Sequence, residues 1–157
     1  MTPSFKALFE QYIAQFNAHS IEGILACLSP SLQIFVRGDL VIDVQDPKDF
    51  EKLKRSYQEH WEVPNVRVEI HELKEMEDGV ETKLIDFGRM QLIEVRYVYA
   101  ENEDEKWLHV RHEIGQVTTW TNSDNEVSAL KSCPSTCSHP SEPLSINEAS
   151  CVRARVP

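Results

Sequence analysis

The sequence has no long hydrophobic run. No apolar stretch approaches the ~18 residues that a membrane-spanning helix needs. The opening residues, MTPSFKALFE, have neither the basic start nor the apolar block of a signal peptide. The sequence therefore predicts a soluble, cytoplasmic protein with no membrane partner.

A surplus of positive charge is also missing. The chain has 16 Lys and Arg residues against 26 Asp and Glu residues, which gives a formal net charge of -10, and the positive residues are scattered among acidic ones. Such a chain repels phosphate backbones. Nucleic acid is therefore not expected as a partner.

Cysteine is scarce where the hydrophobic pattern is regular, since only Cys27 occurs there. Cys133, Cys137 and Cys151 fall in a Ser- and Pro-rich tail with His139, at spacings that match no compact zinc finger. The chain also has no Gly-rich phosphate loop, GxSxG turn or HExxH pair. These absences predict no disulfide framework, no metal site and no cofactor.

The first 30 residues carry the spacing of two helices. Apolar residues recur three or four positions apart over residues 5–16, which places Tyr12 on the buried face. Thr2, with the proline after it, is the expected N-cap of this helix. Ser20 is the expected cap of a second, short helix that Pro30 ends.

After residue 30 the pattern changes to strands around one more helix. Residues 32–37 and 40–44 predict a hairpin, and Asp46 followed by proline predicts the start of a third helix that ends before Pro64. Four further strands are expected at residues 66–76, 80–87, 91–100 and 107–121.

This order, ααββαββββ, predicts an α+β fold. Three helices packed on a curved, mostly antiparallel sheet of about six strands would leave a conical pocket between helices and sheet. With 157 residues, 41% of them apolar, the chain suffices for one domain. We expect that domain at residues 1–122 and a disordered tail at residues 123–157, which are dense in Ser and Pro.

At these residues the chain resembles a known family. The helix with its inward Tyr12, the segment NAHS, the short helix and the strand that runs into Gly38 are similar to the opening of the ketosteroid isomerase and SnoaL-like polyketide cyclase group of the NTF2-like superfamily. The segment SYQEHWEVPNVRVEI is similar to the third helix and next strand of that group. The resemblance covers the first 70 residues well and the sheet to Asn122 by pattern, and it implies the NTF2-like cone.

The resemblance also implies a pair of tyrosine donors. In ketosteroid isomerases a first-helix tyrosine donates to the developing enolate oxygen, and a third-helix tyrosine supports it. Tyr12 and Tyr57 occupy the matching positions here. The alternative is two core aromatics whose hydroxyls bond to backbone groups.

The general base of that family, an Asp at the end of the first strand, is missing from this sequence. The matching region holds Arg37, with Asp39 two residues later. Arg37 cannot act as a base near neutral pH, but it can anchor a carboxylate or polarise a carbonyl. The alternative is a surface salt bridge with Asp39 or Asp43.

Alternation along the last two strands supplies other candidates. Tyr97 and Tyr99 on one strand and His112 on the other share the apolar faces. His112, whose ordinary pKa is the closest to neutral, is either the base or a satisfied core histidine. Glu113 can join the site if Gly115 marks a bulge.

Without a bulge, Trp107, His109 and Arg111 form an outer row on the last strand. That row is too amphipathic for plain solvent surface, and we expect a homodimer through this face of the sheet.

A hydrophobic substrate needs apolar and aromatic side chains around it. His60 and Trp61 are adjacent at the end of the third helix. His60 is expected at the mouth of the pocket, and Trp61 is expected to face inward. The residues expected to bind substrate are Phe16, Trp61, Tyr97, Tyr99 and Val110.

Two functions from different classes follow. The first is a cofactor-independent isomerase, cyclase or dehydratase of secondary metabolism, acting by acid-base catalysis on a hydrophobic polycyclic, polyketide-like or terpenoid-like small molecule. Its catalytic residues would be Tyr12, Arg37, Tyr57, His112 and Glu113. The second is a non-catalytic NTF2-like ligand-binding or dimerisation module. It is favoured by the loss of two acids that the resemblance implies, the base at the end of the first strand and an oxyanion-hole acid on the last strand, where this chain has Val110.

The composition of the tail predicts that the fold does not need it. A chain that ends at Asn122 should keep the melting temperature of the full chain within experimental scatter, because residues 123–157 have few apolar groups to bury. Calorimetry of both chains measures this. A drop of several degrees would mean that the tail packs on the domain.

Overall fold

The structure is a computed structural model, and it describes residues 3–120. They form three helices and six strands, α1 (Phe5–Asn17), α2 (Ile21–Ala26), β1 (Leu28–Val36), β2 (Asp39–Asp43), α3 (Pro47–Trp61), β3 (Val68–Glu75), β4 (Gly79–Asp86), β5 (Gln91–Glu101) and β6 (Trp107–Thr119). The predicted order of helices and strands is confirmed. The predicted domain end at residue 122 and the tail with its cysteines lie outside the described residues.

Side-chain oxygens mark where each helix begins. Ser4 directly precedes α1, and its Oγ accepts the Ala7 N–H at 3.1 Å. The N-cap of α1 is therefore Ser4 and not Thr2, because a cap must stand immediately before the first helical residue. Ser20 and Asp46 cap α2 and α3 as predicted, accepting N–H groups of the first turn at 3.0 and 2.9 Å.

Helix α2 ends earlier than predicted. It stops at Ala26, and Pro30 lies inside β1. The ladder between β1 and β6 shifts register between Leu28 and Gln33. Pro30 thus falls where strand pairing is already interrupted, so its missing N–H costs no ladder hydrogen bond.

The strands form one sheet in the order β2-β1-β6-β5-β4-β3. β1 and β2, β3 and β4, and β4 and β5 pair antiparallel, whereas β1 and β6 pair parallel. The sheet is therefore mixed and mostly antiparallel, as predicted. Strand β6 lies inside the sheet between β1 and β5, so its side chains meet residues from both ends of the described chain.

An apolar core joins the helices to one face of the sheet. Phe9 of α1, Ile24 of α2, Leu32 of β1 and Val80 of β4 have no exposed surface. Full burial of each such side chain contributes about 1.5–3 kcal/mol.

No helix in residues 3–120 is both long and apolar enough to cross a bilayer.

Asn17 fixes the end of α1 to the start of β3. Its Nδ2 donates to the Val68 carbonyl, and its Oδ1 accepts the Val68 N–H, both at 2.9 Å. One amide side chain thus satisfies both backbone groups of a buried residue. This contact fixes how far α1 can slide along the sheet, and with it the position of the preceding Phe16.

Replacing Asn17 with Ala should destabilise the fold by about 2 kcal/mol, because both backbone groups of Val68 lose their partner in a partly buried place. Urea unfolding measures the change. Asn102→Ala is the matched control, since the Asn102 Oδ1 also accepts two backbone N–H groups, but in an exposed loop. Equal losses in the two variants would contradict the role given to Asn17.

Candidate functional site

Strand β6 departs from regular alternation between His109 and His112. These residues stand three apart, which on a regular strand puts their side chains on opposite faces. Nevertheless both are buried, and His109 Nδ1 lies 2.9 Å from His112 Nε2 in a hydrogen bond. The irregular pairing of β1 with β6 accompanies this change of face.

This irregularity corrects the predicted outer row of β6. Trp107 packs edge-on against Phe5 of α1 at 5.6 Å, and His109 is 1% exposed. Only Arg111 of that row is exposed. The expected homodimer thereby loses the surface on which it was based and stays a prediction.

A hydrogen bond between two tyrosines joins α1 to α3. The hydroxyl oxygens of Tyr12 and Tyr57 are 2.7 Å apart, and either can be the donor. Both side chains are buried, on the inner faces predicted from the helical spacing. The alternative, in which each hydroxyl bonds to backbone, is not what the structure has.

Tyrosine and histidine rings surround this hydrogen bond. The ring of Tyr12 lies 4.7 Å from that of His109 and 5.7 Å from that of Tyr97, and Tyr97 also packs edge-on against His112 at 4.6 Å. Tyr99 packs edge-on against His109 at 4.5 Å. We name as the Tyr–His cluster the six residues Tyr12, Tyr57, Tyr97, Tyr99, His109 and His112.

Burial keeps every member of the Tyr–His cluster uncharged at neutral pH. It is the main cause that raises the pKa of Tyr57 to about 12 and the pKa values of the other three tyrosines above their usual range. Burial likewise lowers the pKa of His112 to about 3, and burial together with His112 lowers the pKa of His109 well below its usual value. The cluster therefore offers phenol donors and neutral imidazoles.

Two buried polar atoms of the cluster have no hydrogen-bond partner in residues 3–120. They are the Tyr99 hydroxyl and His109 Nε2. Leaving such a group unpaired costs about 1–3 kcal/mol. A ligand oxygen or hydroxyl that reached either atom would recover that cost, so the cluster is suited to a partly polar guest.

Arg37 lies away from this cluster by the geometry of its own turn. Arg37 and Gly38 have φ values of 47° and 88°, and Val36 pairs with Asp39, which is a two-residue hairpin loop. The strand predicted to run to Arg37 thus ends one residue earlier, and Arg37 is exposed at the tip. Within the described residues it pairs with neither Asp39 nor Asp43.

Glu113 lies on the outer face with Arg111. Its carboxylate is 3.2 Å from Arg111 Nη1 and 3.6 Å from Arg96 Nη1. The irregularity of β6 therefore precedes Glu113 and does not turn it inward. Val110, expected to bind substrate, is half-buried and is not among the described apolar residues that pack on the core.

Three aromatic side chains, Phe16, Tyr57 and Trp61, pack against one another. The Phe16 ring lies 6.3 Å from that of Tyr57 and 5.7 Å from that of Trp61. Trp61 also stacks on His19 at 5.5 Å, and its buried Nε1 has no partner in the described chain. We name Phe16, Tyr57 and Trp61 the aromatic wall.

Asp86 is a buried polar residue that was not predicted from the sequence. This fully buried carboxylate lies 2.6 Å from His60 Nε2 and ends the inward row Val80, Thr82, Leu84 of β4. Alternation along β4 was the signal that could have found it, because an acid in a buried row is rare without a partner. No such signal was available for His109, since the alternation of apolar and polar residues along β6 does not show where its side chains change face.

The neutral histidines predict a loss of stability in acid. In the folded protein the pKa values of His109 and His112 lie below the ordinary value near 6.5, so the unfolded chain binds more protons below that pH. Their contribution is complete above about pH 6.5 and falls as the pH drops below that value, by about 1.4 kcal/mol per pH unit for each residue. For His112 this loss continues to about pH 3.

Urea unfolding at pH 7 and pH 5 checks this. His112→Gln, which keeps an amide where Nε2 lies, should roughly halve the difference between the two pH values, whereas His71→Gln on β3 should leave it unchanged. Equal stability of the unmodified chain at pH 7 and pH 5 would contradict the neutral pair.

No family model and no curated protein matches this sequence. Among solved structures, a SnoaL-like protein of unknown function from Burkholderia thailandensis has 12% identity and a TM-score of 0.57 over 75% of this chain and 98% of that chain. A candidate hydroxylase from Streptomyces galilaeus has 17% identity and a TM-score of 0.53 over 73% and 74%. A candidate ketosteroid isomerase from Shewanella frigidimarina has 10% identity and a TM-score of 0.53 over 71% and 94%. At these identities the likeness is one of fold, and the chain has the NTF2-like fold that the resemblance implied.

Proposed function

We propose that this protein is a cofactor-independent isomerase or cyclase that acts on a hydrophobic carbonyl compound. The observation that carries the proposal is the 2.7 Å hydrogen bond between the Tyr12 and Tyr57 hydroxyls inside a buried cluster. In this proposal Tyr12 donates to the oxygen on which charge develops, and Tyr57 supports Tyr12.

One hydrogen bond between two hydroxyls leaves one hydroxyl hydrogen free. If Tyr57 donates to Tyr12, the Tyr12 hydrogen can point to a substrate oxygen, and its donor strength rises because the bonds polarise one another. The surroundings are uncharged and shielded from water, where a fixed donor stabilises an enolate far more than in solution. The pair is therefore suited to lowering the barrier to enolate formation.

His112 serves this proposal as a neutral hydrogen-bonding group. A pKa of about 3 leaves it too weak a base to accept a proton from carbon near neutral pH. Its hydrogen bond to His109 holds both rings against Tyr12 and Tyr97. The role proposed for it is to orient and polarise.

The aromatic side chains around the tyrosine pair favour a hydrophobic, ring-containing substrate. Phe9, Phe16, Trp61 and Tyr97 supply aromatic surface next to the donor pair. Polycyclic, polyketide-like and terpenoid-like ketones fit that chemistry. The fold shared with a candidate ketosteroid isomerase agrees with this choice.

A ligand-binding module without catalysis is the second candidate. It is favoured by the neutral state of the whole Tyr–His cluster, which provides no proton acceptor of suitable strength. Such a module would bind a phenol or ketone without changing it.

Hydrogen exchange on carbon separates the two candidates. The test compound is 2-tetralone, a bicyclic ketone with acidic α-protons, dissolved in D2O. Its enol is closely mimicked by 2-naphthol. The protein should accelerate α-deuteration above the buffer rate, as followed by proton NMR, and should bind 2-naphthol. Binding without accelerated exchange would establish the module instead of the enzyme.

Tyr12→Phe should slow this exchange about 100- to 1000-fold, which corresponds to about 2.7–4 kcal/mol for one lost oxyanion donor. Tyr57→Phe is the matched control, because it removes the other hydroxyl of the same hydrogen bond and so costs similar stability, about 1 kcal/mol. Its exchange rate should fall less than that of Tyr12→Phe. Near-normal exchange in both variants would make the pair purely structural.

A further inference from the structure

A histidine and a carboxylate form a second polar pair beside the aromatic wall, where the His60 ring packs against Phe16. His60, in the last turn of α3, places Nε2 at 2.6 Å from Oδ2 of Asp86, the last residue of β4. The other oxygen, Oδ1, accepts the Arg89 N–H at 3.1 Å. Asp86 is fully buried, and each of its two carboxylate oxygens has a hydrogen-bond partner.

The chemistry of this pair fixes which nitrogen of His60 is open. Burial raises the pKa of Asp86, but the hydrogen bonds from His60 and the Arg89 N–H, with the charge of Arg89 and that of His60 when it is protonated, outweigh burial and leave that pKa lowered. An ionised carboxylate only accepts hydrogen bonds, so Nε2 carries the proton. In the neutral ring, Nδ1 then presents a lone pair.

The position of His60 relates this lone pair to the proposed donors. The His60 ring packs edge-on against Phe16 at 4.9 Å, and Phe16 in turn contacts Tyr57 and Trp61. The unpartnered Nε1 of Trp61 lies in the same wall and is a donor suited to a ligand oxygen. The His60–Asp86 pair, called the dyad below, and the Tyr12–Tyr57 pair therefore border the same aromatic side chains.

His60 differs from the buried histidines in its access to water. Its side chain is 15% exposed, whereas His109 and His112 are almost completely enclosed. A base that takes a proton from carbon must pass it on before the next turnover. His60 can exchange its proton with solvent, and the two histidines of the Tyr–His cluster cannot do so readily.

We propose that His60 is the general base of the proposed reaction and that Asp86 is its positioning residue; this inference rests on the proposed function. The α-carbon–hydrogen bond of the substrate breaks, and the proton moves to His60 Nδ1. The electron pair of that bond becomes the carbon–carbon π bond of the enolate, and the negative charge moves to the carbonyl oxygen. Transfer of the proton from His60 to a different carbon of a conjugated enolate re-forms the carbonyl and completes an isomerisation.

The tautomer of His60 tests the assignment without any substrate. Long-range proton–nitrogen NMR of the 15N-labelled full chain should show a protonated Nε2 and an unprotonated Nδ1 near neutral pH. Protonation at Nδ1 with a bare Nε2 would overturn the proposal, because no lone pair would then face away from Asp86. Asp86→Asn, which can donate to Nε2, should shift the proton toward Nδ1.

Deuterium exchange of 2-tetralone tests the role itself. His60→Gln keeps a donor for Asp86 but removes the base, so exchange should fall at least about 100-fold while 2-naphthol binds within about twofold of normal. Asp86→Asn should also slow exchange and should alter its pH profile. His71→Gln should change neither rate nor binding.

The possible failures are distinguishable. Exchange that persists in His60→Gln, while Tyr12→Phe abolishes it, would overturn the base assignment and leave the proposed function intact. Loss of 2-naphthol binding together with exchange in His60→Gln would make the dyad a structural tie between α3 and β4. Absence of exchange with the unmodified chain would overturn the proposed function, and the base assignment with it.

Discussion

The hydrogen bond between Tyr12 and Tyr57 is the interaction around which the candidate site is built. It links residues 45 positions apart in the chain, on two different helices, inside a buried core. Because both hydroxyls are anchored, the rings of Tyr97, His109 and His112 pack against fixed surfaces. Moving either helix would break this bond as well as apolar contacts, so the position of the helices and the chemistry of the site are set together.

The site separates two electrostatic settings. One setting is the Tyr–His cluster, which burial keeps uncharged. The other is the Asp86 carboxylate, stabilised by the hydrogen bonds of His60 and the Arg89 N–H. A donor works best when nothing nearby competes for its hydrogen, and a base needs a partner that fixes its tautomer. Phe16 stands between the two settings, and the Asn17 contact with Val68 holds α1 at that point.

Regular periodicity made much of this fold predictable. Helical spacing placed Tyr12 and Tyr57 inward, and alternation along β5 placed Tyr97 and Tyr99 inward, because these elements are regular where those residues lie. The prediction failed where local geometry broke the period. The left-handed turn at Arg37 moved that residue to the hairpin tip, and the irregular pairing of β6 brought His109 into the core. Neither departure follows from the residue pattern, since the first depends on which two residues form the hairpin loop and the second on how β6 pairs with the distant strand β1.

The irregularity in β6 brings together side chains that are three residues apart, a spacing that is usual for contacts along a helix and not along a strand. In a regular strand, neighbouring side chains on one face are two residues apart, and residues three apart cannot meet. His109 and His112 do meet, and each also touches Tyr12 and Tyr97. If β6 kept regular alternation over these same residues, one imidazole would turn outward and the other would lose its partner. The irregular backbone of this short segment, more than the identity of its side chains, therefore decides whether the sheet presents one histidine or two to the core.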